Sequence, residues 1–345
     1  IVKDKHGEQV CLYEESHALL IGVSDYTAGW ADLGGVKKDI PRVKAALEKQ
    51  GFYIVTVMDP TSDELEDALK GFISRYGRGA DNRILIYFSG HGYTLEKRWG
   101  GSMGFIVPAD APDPNEDRDG FTDKAIDMTM IEVWAKDIDS KHALFLFDSC
   151  FSGSLFSLSK AAPAIINYKT SKPVRQFITA GSEDETVPDK SIFCQQFLDA
   201  LDGEADGNKD GYVTGSELGE YLQSTVVNYS YDSQHPQYGK IRDRRLDKGD
   251  FVFPLMSKMD RETARSGQQS HPTTVRSTGD HALVVVNGSK LTREQAEREV
   301  EARMATLKGR LPQEKIDEVR EKMINEMADQ FINKTLLIQA AERLN

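Results

Sequence analysis

Two residues in this chain combine a reactive side chain with a setting that exposes it. His91 stands in Tyr87-Phe88-Ser89-Gly90-His91-Gly92, and Cys150 in Phe147-Asp148-Ser149-Cys150-Phe151-Ser152-Gly153. Each follows a run of apolar residues and has small neighbours, so each reactive group is expected on a turn just past a buried strand, where glycine permits close backbone approach to a ligand. A thiol becomes a competent nucleophile once a nearby imidazolium lowers its pKa, and the imidazole can then protonate a leaving amine. The backbone N–H groups of Gly92 and Cys150 are candidate donors to the oxyanion of a tetrahedral intermediate. Either residue alone is more often packing than chemistry, since cysteine is among the most buried types and a single histidine is commonly a satisfied core or surface residue. The pair, 59 positions apart at the ends of consecutive apolar runs, points to one shared cleft.

The elements that must hold these turns side by side are legible. Strand-length apolar runs recur at His17 to Val23, Tyr53 to Met58, Arg83 to Ser89, His142 to Asp148 and Val174 to Ala180. Helical periodicity lies between them, at Lys37 to Gln50 before Gly51, and at Ser62 to Tyr76 with Thr61 or Ser62 as N-cap. This alternation predicts βαβ units and a mainly parallel sheet. Ile84 to Phe88 and Ala143 to Phe147 are apolar almost without interruption, as strands covered by helices on both faces must be. Ligands of open α/β sheets bind beyond the carboxyl ends of the strands, where His91 and Cys150 both fall.

On these two motifs the chain resembles the caspase-like cysteine peptidases, and their metacaspase and bacterial members more than the animal caspases. The resemblance runs from about Ser16 to Pro254; a histidine roughly 50 residues before the cysteine is the caspase arrangement. It implies a caspase-like αβα sandwich around a mainly parallel sheet, endopeptidase activity, Cys150 as nucleophile and His91 as its partner. The rival is a non-catalytic partner-binding or chaperone-like protein on the same fold. Retention of Cys150, His91, Gly92 and Asp148 together favours the enzyme.

Animal caspases carry Gln-Ala-Cys-x-Gly at the nucleophile, and this chain does not. In metacaspases an aspartate two before the cysteine, a serine two before the histidine and an aspartate after the first strand shape an acidic S1 pocket, and Asp148 and Ser89 match the first two. The family's Leu-x-Gly-Cys-x-Asn-Asp faces Leu33-Gly34-Gly35-Val36-Lys37-Lys38-Asp39. Asp39 falls in register while Val36 and Lys38 depart from the pattern, and the alternative for Asp39 is a carboxylate complementing a helix N-terminus. The resemblance therefore implies Lys or Arg at P1, held by charge-assisted hydrogen bonds, with aspartate repelled. Ala180-Gly181-Ser182-Glu183-Asp184-Glu185-Thr186 resembles the substrate-groove loop with one residue fewer, and offers Asp184 as a further acidic contact. Between Phe151 and Val174, where relatives are cleaved during maturation, lie Lys160, Lys169 and Lys172; Lys258, Arg261 and Arg265 are alternative self-processing sites.

A separate pattern spans Asp206 to Glu217: oxygen side chains at Asp206, Asn208 and Asp210, glycine at Gly211, then Tyr212, Thr214 and a closing Glu217. This fills the diagnostic positions of a twelve-residue EF-hand loop, in which Tyr212 supplies a backbone carbonyl. Apolar helical stretches, Phe193 to Leu201 and Leu218 to Val226, flank it. One reading is a calcium site. The other is an acidic connection that keeps the loop shape without metal.

The chain of 345 residues is 39% hydrophobic and 28% charged, enough for a large soluble domain plus a smaller unit. A net charge of -12 disfavours nucleic acid and anionic lipid as partners. Cys11, Cys150 and Cys194 cannot form a disulfide framework, and no apolar run approaches the ~20 residues of a membrane span. The chain begins at Ile1 rather than Met, as a trimmed or matured product does, so any signal peptide is expected to be already removed. The expected organisation is a peptidase domain over 1–256, a linker over 257–280 where apolar periodicity is lost, and a small helical unit over 281–345. That last unit, from Val284-Val285-Val286-Asn287-Gly288 into two amphipathic patterns, one starting near Pro312, resembles the helical N-terminal region of SurA-type periplasmic chaperones and parvulin-type prolyl isomerases. The resemblance implies binding of a peptide or partner and a bacterial periplasmic or secreted location, with the cytoplasm otherwise. A helical hairpin docked on the core, or a self-association surface, is the alternative.

Overall fold

The computed structural model describes residues 13–98, 100–150, 171–181 and 191–255, with the short stretches 2–3, 9–10, 156–158, 274–275, 284–286, 289–291, 298 and 300–301; the backbone alone is described at Cys150 and in the stretches of strand outside the main blocks. The chain divides into two compact units, Ile1–Leu255 and Met256–Asn345. The helical patterns near Pro312 and beyond lie outside the described residues.

The first unit opens with a short hairpin, β1 (Val2–Lys3) and β2 (Gln9–Val10). Alternation then follows: β3 (Ser16–Gly22), α1 (Val36–Lys49), β4 (Tyr53–Met58), α2 (Ser62–Tyr76) and β5 (Arg83–Ser89). After an antiparallel excursion, β6 (Gly92–Glu96), β7 (Ser102–Ile106) and β8 (Ile126–Asp127), with α3 (Arg118–Lys124) between the last two, come α4 (Met128–Asp137) and β9 (His142–Cys150). The remainder is β10 (Phe156–Leu158), β11 (Val174–Gly181), α5 (Ile192–Asp199), β12 (Tyr212–Thr214), α6 (Gly215–Tyr229), β13 (Gln237–Ile241) and β14 (Val252–Pro254). In the second unit, β15 (Thr274–Val275), β16 (Val284–Val286) and β17 (Ser289–Leu291) form an antiparallel sheet.

The main sheet has seven strands in the order β10-β13-β11-β9-β5-β3-β4. From β11 to β4 the pairing is parallel, and β13 and β10 close one edge antiparallel. Alternate side chains feed two separate cores. Leu20, Tyr87, Leu146 and Ile178 pack on one face with Val43 and Leu47 of α1, Phe197 of α5 and Leu222 of α6. Leu19, Ile86, Phe145 and Phe177 pack on the other with Leu69 and Phe72 of α2 and Ile131 of α4. Burial on both faces is why β5 and β9 read as continuous apolar runs. Tyr53 on the edge strand β4 is 57% exposed, so that strand needs no such continuity. The caspase-like αβα sandwich expected from the sequence is the architecture found.

Local chemistry sets the element ends. The α2 N-cap is Thr61, whose backbone N–H and hydroxyl both donate to Glu64 Oε2 at 2.9 Å. At the amino-terminal end of β5 the buried Arg83 donates to Val252 O at 2.6 Å and Gln50 O at 2.8 Å, its guanidinium 4.1 Å from the Phe52 ring centre. These bonds tie β14, the last strand of the first unit, back to the sheet.

Candidate active site

The parallel register sets the two reactive positions side by side. Ser89 pairs with Asp148 across β5 and β9, so the chain leaves β5 for His91 where β9 runs on to Cys150. Between Phe147 and Cys150 lie two residues, opposite the single Ala180 between Thr179 and Gly181 of β11. This is a bulge in the strand immediately before the candidate nucleophile, a device that re-aims a side chain near a site. Gly92 begins β6, and His91 O accepts from Val107 N at 3.0 Å. The backbone of both oxyanion candidates thus lies at one sheet edge.

His91 is gripped by the loop between β3 and α1. Its Nε2 lies 2.8 Å from Ala31 O. A carbonyl only accepts, so Nε2 carries the proton and the Nδ1 lone pair is left free. The backbone N–H of His91 donates to Tyr26 Oη at 2.7 Å, and the imidazole lies 4.8 Å from the Tyr26 ring and 5.1 Å from Trp30. Burial by these rings pulls the His91 pKa below its ordinary value, against the smaller opposing effect of the Ala31 carbonyl. The imidazole is therefore neutral near pH 7.

The gripping loop is itself fixed from below. Asp59, just past β4, has a left-handed backbone with φ 51°, a conformation that aspartate tolerates better than most residues. Its Oδ1 accepts from Ser24 N at 2.6 Å and Asp25 N at 2.9 Å, while Lys37 Nζ meets Asp25 Oδ1 at 2.8 Å. Tyr26, Trp30, Ala31 and Asp59 were not legible from motif spacing. The available signal was two aromatics inside an aperiodic loop rich in Asp and Gly, a composition that does not ordinarily hold large rings.

Three of the four expected pocket residues converge on the α1 and α5 side of the sheet. Asp148 is 2% exposed. Its Oδ2 accepts from Tyr87 Oη at 2.9 Å and its Oδ1 from Ser191 Oγ at 2.8 Å, Ser191 being the N-cap of α5. Burial pushes Asp148 up to about 6, eased by those two hydrogen bonds and raised further by the negative charge of Asp39. Asp39 is 6% exposed and paired with Arg42 Nη1 at 2.8 Å. Ser89 is buried beside Asp148 at the end of β5. Asp184 and its neighbours from Ser182 on lie outside the described residues, as do Lys160 and Lys169.

Cys194, on α5, is buried and free. Burial, then the charges of Asp148 and Asp39, push its thiol far up, so it is inert as a nucleophile. Cys11 lies outside the described residues, as does the Cys150 side chain.

The Asp206 to Glu217 segment forms a compact turn linking α5 to α6. Asp206 Oδ1 and Oδ2 accept from Asp210 N at 3.1 Å and Gly211 N at 3.0 Å, and Asn208 Oδ1 accepts from Asp210 N at 2.8 Å. Lys209 and Gly211 have φ 58° and 86°, left-handed geometry that glycine at the second position makes easy. Glu217 Oε2 accepts from Thr214 N at 2.9 Å and Thr214 Oγ1 at 2.8 Å, capping α6. Val213 pairs with Phe253 through β12 and β14. Among the described residues no three His, Cys, Asp or Glu side chains already converge as a metal cage, because these carboxylates are turned onto backbone N–H groups.

An αβα sandwich whose adjacent central strands lead into a histidine and a cysteine defines a caspase-like class of protein. A family model for Peptidase C14, the caspase domain, matches residues 15–271. The chain belongs to this family of cysteine peptidases. Among solved structures, protein GSU0716 from Geobacter sulfurreducens is similar over 70% of this chain and 100% of that one, with 17% sequence identity and a TM-score of 0.47. No curated protein matches.

Proposed function

We propose that this chain is a cysteine endopeptidase that cleaves after Lys or Arg. The observation that carries the reading is a deeply buried carboxylate, Asp148, two residues before Cys150, with a second buried carboxylate, Asp39, close enough to raise its pKa. A pocket with two acids at its base suits a cationic P1 side chain and repels an anionic one.

The chemistry follows from the groups present. His91 Nδ1, free because Nε2–H is tied to Ala31 O, accepts the proton of the Cys150 thiol as sulfur attacks the scissile carbonyl. Backbone N–H groups of Gly92 and Cys150 receive the charge that develops on the oxygen. The carbonyl re-forms as the C–N bond breaks, and His91 returns its proton to the departing amine. Water, deprotonated by the same Nδ1, then cleaves the thioester and restores the thiol. The test is Cys150-dependent hydrolysis of fluorogenic peptides after Arg or Lys; cleavage after Asp would overturn the pocket reading. Protein or peptide chains are the substrates.

Self-processing belongs to this proposal. Lys172 is the least suited of the three lysines after Phe151: its carbonyl accepts from His142 Nε2 at 3.0 Å, and Pro173 follows it. Gly249 lies so close that a Cβ there would meet Lys172 O at 2.0 Å. Changing Lys160 and Lys169 to Ala is expected to leave a single uncut chain on a denaturing gel, whereas Lys172→Ala is cut normally. Unaltered fragments from the Lys160/Lys169 double variant would sink processing there and direct attention to Lys258, Arg261 and Arg265.

Calcium at Asp206, Asn208, Asp210, Tyr212, Thr214 and Glu217 is part of the same reading. The donor set is all oxygen and the turn has the required left-handed residues, so the residues present fit a hard cation. Binding would cross-link the ends of α5 and α6. Saturating calcium is expected to raise the melting temperature by about 3–8 °C, and Glu217→Gln, which can still cap α6, to abolish most of that rise. No calcium shift in the wild-type protein would remove the site.

Among the described residues no helix is long and apolar enough to cross a membrane. The SurA-type resemblance of the second unit supports peptide or partner binding and a periplasmic or secreted setting in a bacterium, and its amphipathic helical patterns offer self-association as the alternative.

A further inference from the structure

Arg42 touches the acidic pocket in a way the hydrolytic scheme does not use. It lies one turn after Asp39 on α1, and its Nη1 donates to Asp39 Oδ1 at 2.8 Å. Its Nη2 donates to Gln195 Oε1 on α5, the helix whose N-cap Ser191 holds Asp148. The guanidinium thus bridges both helices that wall the pocket. Its side chain is 42% exposed, against 8% for that of Asp39, so the cation sits at the rim and the carboxylate below it. Among the described residues no cation comes within ion-pair distance of Asp148, and Arg42 alone pairs with Asp39. The pocket's two acids are therefore unequal: one carries a resident counter-ion and the other does not.

We propose that Arg42 is a specificity-determining residue, an internal counter-ion that competes with a basic P1 side chain for Asp39 and so weakens the binding of Lys and Arg substrates. This rests on the acidic-pocket reading of Asp39 and Asp148. A P1 guanidinium entering the pocket must share Asp39 with Arg42 or displace it, and like charges at close range oppose that approach. An uncharged P1 of the same shape meets no such opposition. The pairing leaves the pocket with a smaller net charge than two carboxylates would give, limiting how tightly basic peptides and cleaved products are held. As a half-exposed pair, Arg42 and Asp39 exert a modest effect, one that tunes binding without deciding whether catalysis occurs.

The test compares two fluorogenic peptides differing only in P1, arginine or its uncharged isostere citrulline, across wild type, Arg42→Gln and Arg42→Lys. With Arg42→Gln, KM for the arginine peptide is expected to fall about two- to fivefold at unchanged kcat, while KM for the citrulline peptide stays at the wild-type value. Arg42→Lys keeps the charge and should restore the wild-type ratio of the two. A ratio unchanged in Arg42→Gln would show that Arg42 has no bearing on P1 charge. A rise in KM for the arginine peptide relative to the citrulline peptide would show that Arg42 orients Asp39 for the substrate, and either result overturns the proposal. Melting curves check the fold, and Arg42→Met, which keeps the apolar stem, replaces Gln if that variant does not fold. Failure of the wild-type enzyme to prefer arginine over citrulline would be failure of the acidic pocket itself, and is seen before any variant is made.

Discussion

Asp148→Asn is expected to lower kcat/KM for peptides with Arg or Lys at P1 by about 100-fold or more, while making the folded protein more stable near neutral pH. The first effect follows from removing the unpaired member of the two pocket carboxylates; breaking a buried charge pair costs about 3–5 kcal/mol. The second follows from linkage. Asp148 has an ordinary pKa of 3.8 and is pushed up to about 6 in the fold, chiefly by burial. Between those values the folded state holds a proton that the unfolded state has lost, so stability falls as pH rises through that window and the deficit is complete above about 6. Asn carries no charge to bury and keeps hydrogen-bonding partners for Tyr87 and Ser191, so the variant is expected to gain about 1–3 kcal/mol at pH 7.5 and nothing at pH 3.5. Denaturation curves of the two proteins from pH 3.5 to 8 read this directly. The same ionisation adds to kcat/KM for basic substrates a rise through about pH 6 on top of the His91 limb that all substrates share. An Asn variant that still cleaves after Arg would remove Asp148 from the pocket.

The second large effect concerns His91. His91→Ala is expected to reduce kcat at pH 7.5 by about 1,000-fold or more, with little change in melting temperature, since one group serves both as base for the thiol and as acid for the leaving amine. In the wild type the acid limb of the rate, measured with a neutral-P1 peptide so that Asp148 contributes nothing, should have its midpoint below the ordinary imidazole value of 6.5, because burial against Tyr26 and Trp30 holds His91 neutral. A limb centred above that value would mean that burial against these rings does not lower the His91 pKa.

The central strands were the easiest features to read because burial on both faces writes itself into sequence as unbroken apolar runs: the expected Arg83 to Ser89 has the observed bounds, as do the edge strand Tyr53 to Met58 and the helix Ser62 to Tyr76. The antiparallel pieces of the first unit were missed. Residues such as Gly92–Glu96 and Gln237–Ile241 are half-polar and short, so their strand character comes from the partner rather than from the pattern. At the site, residue identity pointed to the candidate groups His91, Cys150 and Asp148. It could not reveal Ala31, which acts through a backbone carbonyl that every residue possesses, nor Asp59, whose role depends on a left-handed turn at an unremarked loop. The Arg42–Asp39 pair was hidden differently. A helical i, i+3 ion pair is ordinary on any surface, and only its position over the pocket gives it meaning.

The most direct test of the central claim is hydrolysis of fluorogenic peptides ending in Arg, Lys or Asp by wild type and Cys150→Ala, with and without calcium. The account predicts cleavage after Arg and Lys that disappears with Cys150→Ala, and none after Asp. Cleavage after Asp, or basic-specific cleavage that survives loss of Cys150, would contradict it.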